Sequence, residues 1–217
     1  MHPRYLTWLT FVFDRRETPN GWYFDLEDED FGATPQELVE LIVLTMESSG
    51  KDLADYGDRQ VAEGLNYIVN NACSSVVAVL FDDAVSVQLR LRAIESIKTL
   101  YRDCFAPRCA SVLCHTGQKG GNALNLPCYM LWDVFPISLW EGRRDGKLFY
   151  AAALDVLEDA LDSSNPACVE GALHGLGHLF AYCEEAADVV ARYQKRNHYL
   201  LPALESYARQ ASMGNVL

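Results

Sequence analysis

The sequence contains no apolar run approaching the roughly 20 residues that a membrane-spanning helix needs. Its start, MHPRYLTWLTFVFDRR, has no separated basic segment, apolar segment and small-residue cleavage site, and reads as core rather than leader. Basic residues are scarce: 18 Lys and Arg stand against 30 Asp and Glu, a formal net charge of −12. That balance argues against nucleic acid, whose binding is driven by lysine and arginine displacing counterions from phosphates. The seven cysteines are an odd number, so they cannot all pair within one chain. Reduced thiols in a cytoplasm are the expectation. There is no P-loop, no G-x-S-x-G elbow and no dinucleotide fingerprint, since Gly117, Gly120 and Gly121 follow no predicted strand. No cofactor is expected on these grounds. No linker rich in Pro, Gly or Ser divides the 217 residues, half of which are apolar, so residues 1–217 are expected to form one helical domain.

What the sequence does have is helical spacing. Thr34-Pro35-Gln36-Glu37 is a capping box with proline at the first helical position, and Leu38, Leu41, Ile42 and Leu44 follow at steps that predict a helix over 35–48 ended by Gly50. Asp58 is expected to cap a helix over 59–70, and the dense apolar run 74–81 is read as a further helix. Ser86 heads VQLRLRAIESIKTLYRDCF, an amphipathic helix that Pro107 ends or bends. A short helix over 108–115 and a breaker-rich loop at 116–125 come next. Residues 126–140, LPCYMLWDVFPISLW, read as a central buried helix terminated by Pro136. Helices are also expected over 147–162 and from Glu184 to about Gln210, with Pro202 starting the last.

Before Thr34 the pattern is weaker. Residues 4–13 are expected to form a short helix, and Pro19-Asn20-Gly21 a turn that folds Trp22, Tyr23 and Phe24 back. The acidic run Asp25, Glu27, Asp28, Glu29 and Asp30 is read as a solvated loop. Residues 1–33 are thus an N-terminal extension packed on the body.

The most informative stretch is NPACVEGALHGLGHL, residues 165–179. Asn165 suits a helix cap and Pro166 the first turn, while Val169, Ala172, Leu173, Leu176 and Leu179 share one helix face. Three glycines, Gly171, Gly175 and Gly177, each cost about 1 kcal/mol against alanine inside a helix, so neighbouring backbone should lie very close. This run resembles the second helix of a HEAT-like repeat of the PBS-lyase type through Asn165, Pro166, Glu170, Ala172, Leu176, Gly177 and Leu179. With 58–74, 100–111 and 128–136 it also resembles an uncharacterised family of small bacterial helical proteins, from which no catalytic residue carries over. The resemblance implies an all-α fold, a short α-solenoid or solenoid-like bundle of antiparallel helix pairs.

His174 and His178 lie four residues apart, and Glu170 one turn earlier, so the three could converge from one side of a helix. They are the candidate site, either as part of a surface that binds a partner or as ligands of a metal-dependent hydrolase. The H-E-x-x-H signature is absent, because Gly175, Leu176 and Gly177 fill the gap between the histidines. A second set, Cys104, Cys109, Cys114, His115 and Cys128, lacks knuckle spacing and is read as core. A thiol nucleophile formed by Cys114 or Cys183 with His174 has nothing that selects it. The leading expectation is a non-enzymatic cytoplasmic protein that binds a macromolecular, basic protein partner, in a scaffold or toxin-neutralising role.

Overall fold

The computed structural model describes all residues except 1, 2, 17, 19, 20, 25–30, 198–200 and 217, so the acidic run and two residues of the Pro19-Asn20-Gly21 turn, Pro19 and Asn20, lie outside the described residues. Among those described the chain is helical and has no strand. No described helix is long and apolar enough to cross a membrane.

Helix α1, Tyr5–Phe13, buries Tyr5, Trp8, Leu9, Val12 and Phe13. It docks on α2, Pro35–Glu47, and α4, Asp58–Val69, and Trp8 Nε1 donates to Thr45 Oγ1 at 2.9 Å. The capping box at Thr34 forms as its residues dictate: Glu37 N–H donates to Thr34 Oγ1 and Thr34 N–H to Glu37 Oε2. Gly50 does not close this segment. It sits inside the short α3, Ser49–Asp52, where a side chain would meet Asp103 Cβ at 2.7 Å. Gly57 rather than Asp58 occupies the cap of α4, leaving Asp58 to accept from Arg108 Nε and Nη2 at 3.0 and 2.8 Å. Residues Val76–Phe81 take the tighter 3-10 form instead of an α-helix, and Ser74 Oγ accepts from Val76 N–H at their start.

Ser86 caps α5, Val87–Glu95, which continues as α6, Ile97–Thr99. This tract ends at Arg108, one residue past Pro107. Residues Leu100–Phe105 widen into π geometry, with Ala106 N–H reaching back five residues to Tyr101 O, and the chain stays helical through α7, Ala106–Arg108. The short helix expected over 108–115 is absent. Its backbone is claimed by side chains from elsewhere: Asn125 bonds both N–H and C=O of Ala110, and Glu170 accepts from Cys114 N–H and His115 N–H.

Helix α8, Asn125–Val134, stops where Pro136 forces Phe135 into extended geometry, and a 3-10 turn, Ile137–Trp140, completes the segment. Helices α9, Gly146–Leu161, α10, Pro166–Phe180, α11, Glu185–Arg196, and α12, Pro202–Ala211, finish the body. The centre is α10, against which α8, α9, α11 and α12 all pack. Its glycines mark real close approaches, for a Cβ at Gly171 would stand 2.4 Å from Cys128 O and one at Gly175 2.7 Å from the Trp132 ring. Asn165 accepts from Ala167 N–H to cap α10, while its Nδ2 donates to Ala106 O and Cys109 O, tying this helix start to the end of α7.

Candidate metal centre

The three residues singled out on α10 do not act together. Glu170 is fully buried and turns to the 113–115 segment, where its two oxygens accept from Cys114 N–H at 2.8 Å and His115 N–H at 2.9 Å and contact His115 Nδ1 at 2.5 Å. A carboxylate so occupied fastens a loop. His174 is 1 % exposed, so neither it nor Glu170 presents a surface to a partner. His178 and His174 do converge, with their Nε2 atoms 3.1 Å apart.

The third group beside them is Asp133, from the last turn of α8. Its Oδ1 lies 3.2 Å from His178 Nε2, and the ligand-type atoms of Asp133, His174 and His178 all fall within 4.8 Å of one another. The four-residue spacing on α10 aims both imidazoles at α8, and the Gly171–Cys128 contact lets the two helices come near enough for Asp133 to complete the set. Sequence spacing could not connect residues 133 and 174. One signal was present: Asp133 is the single charged residue in the otherwise apolar run 126–140.

Behind this trio lies a layer of phenols. Tyr207 Oη of α12 is 2.6 Å from His174 Nδ1 and 2.9 Å from Tyr129 Oη. Tyr129 packs on the His174 ring with centroids 4.2 Å apart, and His115 stacks on Tyr207 at the same separation. Burial, followed by the neighbouring His178 and His115, lowers the His174 pKa to about 3, so this imidazole is neutral across the physiological range. Burial also lowers His178, with Asp133 opposing. The Tyr207 phenol is pushed up by burial, then by its bond to Tyr129, and keeps its proton. Two neutral imidazoles and a carboxylate form the donor set that zinc and similar divalent ions take, and ligands held about 2.1 Å from one ion stand roughly 3 Å apart. On the outer side a depression of about 360 Å³, lined by Asp133, His178, Phe135, Pro136, Ser138 and Tyr182, opens onto two of the three, Asp133 and His178.

The cysteine set forms no comparable centre among the described residues. Cys104, Cys109 and Cys128 are buried, and Cys128 Sγ faces Cys168 Sγ at 4.0 Å. Nor does a thiol approach His174: Cys183 Sγ bonds Glu185 Oε2, and the imidazole contacts Tyr207 and His178. No protein-family model, curated protein or solved structure matches this chain, and its functional reading rests on the geometry above.

Proposed function

We propose that the chain is a metalloprotein holding one divalent transition-metal ion on Asp133 Oδ1, His174 Nε2 and His178 Nε2, and that the ion serves hydrolysis. The observation that carries this reading is the meeting of those three atoms from two helices. Support comes from the layer behind them. With Nδ1 of His174 protonated and donating to Tyr207 Oη, the Nε2 lone pair is left for an ion, and Tyr207 donates onward to Tyr129. Three protein ligands leave at least one position for water, which a bound zinc ion brings to a pKa near 7. The half-buried His178 and the partly exposed Asp133 line the 360 Å³ depression, from which water would reach the ion.

Elemental analysis of purified protein, and titration of the chelator-stripped chain with zinc, test the reading. About one ion per chain is expected, with affinity lowered at least tenfold in Asp133→Asn and in His178→Ala. Glu170→Gln should keep the ion. Unchanged zinc binding in the Asp133 variant, or none in the wild-type chain, would sink it.

A second reading is favoured by the net charge of −12: a helical-repeat protein, its helix pairs stacked as a short solenoid, that binds a basic protein partner as a scaffold or neutraliser. Its signature is a salt-sensitive partner carried through purification whether or not the metal is removed.

A further inference from the structure

A different part of the surface collects positive charge in this acidic chain. Between the start of α5 and the turn before α9 lies a cavity of about 760 Å³, lined by Arg90, Arg143 and Arg144 with Asp83, Asp145 and Ser86. Three guanidinium groups against two carboxylates leave one net positive charge there, in a molecule whose balance is −12. The first turn of the nine-residue α5 faces the same space through Val87 and Gln88. Ser86 Oγ takes the N–H of Leu89, which leaves the two amides before it to an outside acceptor.

Arg90 makes this more than a helix end. It is 2 % exposed, its Nε donates to Val85 O at 3.1 Å and its Nη2 to Asp145 Oδ2 at 2.8 Å, yet Nη1 has no hydrogen-bond partner. A buried guanidinium with an unmet donor is costly to keep. Two carboxylates span Arg90 and Arg143: that of Asp145, which takes Arg90 Nη2 at 2.8 Å and Arg143 Nε at 3.4 Å, and that of Asp83, whose Oδ1 lies 3.5 Å from Arg90 Nη2 and also contacts Arg143 Nη2. Asp83 is 80 % exposed. An acid that could be fully hydrated instead reaches over two guanidinium groups. Arg144 lines the same cavity, is exposed, and forms no ion pair among the described residues.

We infer that this cavity is a receptor for a dianionic phosphate group, which displaces the Asp83 carboxylate and is held by Arg90, Arg143, Arg144 and the amides that open α5. A phosphate suits the donors better than a carboxylate does, since it offers three oxygens and twice the charge to planar guanidinium forks. The apolar side chains of Val85, Val87 and Leu148 give room for an organic body attached to it. Inorganic phosphate and an organic phosphate monoester share the recognised chemistry.

Calorimetric titration of the full chain with inorganic phosphate and with phenyl phosphate, at fixed ionic strength, tests the inference. Saturable binding is expected, weakened at least fivefold in Arg144→Ala and in Arg143→Ala, two exposed or half-buried positions whose loss leaves the fold intact. Asp83→Asn should bind more tightly than wild type, while Asp82→Asn, the same charge change one residue away, should not. Tighter binding of phenyl phosphate assigns the group to an organic ligand, and equal binding to free phosphate; either supports the site. No saturation at millimolar probe, equal affinity in the arginine variants, or equal gains in the two aspartate variants would overturn it.

Discussion

At Gly171 the missing side chain is what lets α8 and α10 touch. A methyl group there would stand 2.4 Å from the Cys128 carbonyl oxygen, which is backbone and cannot swing aside. Gly171→Ala is therefore expected to destabilise the fold by about 2–4 kcal/mol, despite the ~1 kcal/mol that alanine gains in helix propensity. At Gly32 an added Cβ would meet nothing within 4 Å among the described residues, so Gly32→Ala should be nearly neutral; chemical denaturation of the two variants makes the comparison. The thiols give a test in pH. Burial, followed by the bond to Glu185, pushes Cys183 up to about 11, and burial, followed by Glu170, pushes Cys114 up to about 11. A raised thiol pKa means little thiolate below it. At pH 8.5 both should alkylate about 10²-fold more slowly than free cysteine, with rates still climbing toward pH 11. Mass-spectrometric labelling with iodoacetamide reads this directly.

Caps and ties decide where the helices begin and where the loops stay. Asn165 holds both ends of one junction, accepting from α10 and donating to two carbonyls near the end of α7. Asn165→Asp keeps the cap but sets a buried carboxylate oxygen against the two carbonyl oxygens that the amide had bonded, whereas Asn165→Ala loses all three bonds and adds no charge. Thermal melts should show alanine costing about 2–3 kcal/mol and aspartate at least as much, despite its retained cap. Glu170→Gln replaces an acceptor pair by one acceptor and one donor facing two N–H groups, so hydrogen exchange should quicken at Cys114 and His115 before it does elsewhere. The elements with local chemistry were readable from the sequence: Thr34 with Glu37, Ser86, Asn165 with Pro166, and the stop at Pro136 all act where their residues stand. Residues 109–115 were not readable, because Asn125 and Glu170 claim that backbone from far along the chain. Pro107 marks the end of its helix to within one residue, while the widened π turn that precedes it had no signal in the sequence.

For the whole molecule, the candidate centre depends on three helices that sequence order keeps apart. Asp133 stands on α8, the histidines on α10, and the phenol that supports His174 on α12. Half of this was visible as a pair of histidines four residues apart. Asp133 was not, because helix packing and not spacing brings it within 3.2 Å of His178. Tyr207→Phe would keep the ring stacked on His115 and remove only the hydroxyl beside His174. About tenfold weaker zinc binding with an unchanged circular dichroism spectrum is expected, and unaltered affinity would detach the phenols from the metal reading. Because Tyr207 follows both histidines by some thirty positions, a growing chain would emerge from the ribosome with Asp133 and the imidazoles already free and their support still unmade. Until α12 emerges the ion would be held about tenfold less tightly, so nascent chains stalled before α12 should bind zinc more weakly than the finished polypeptide.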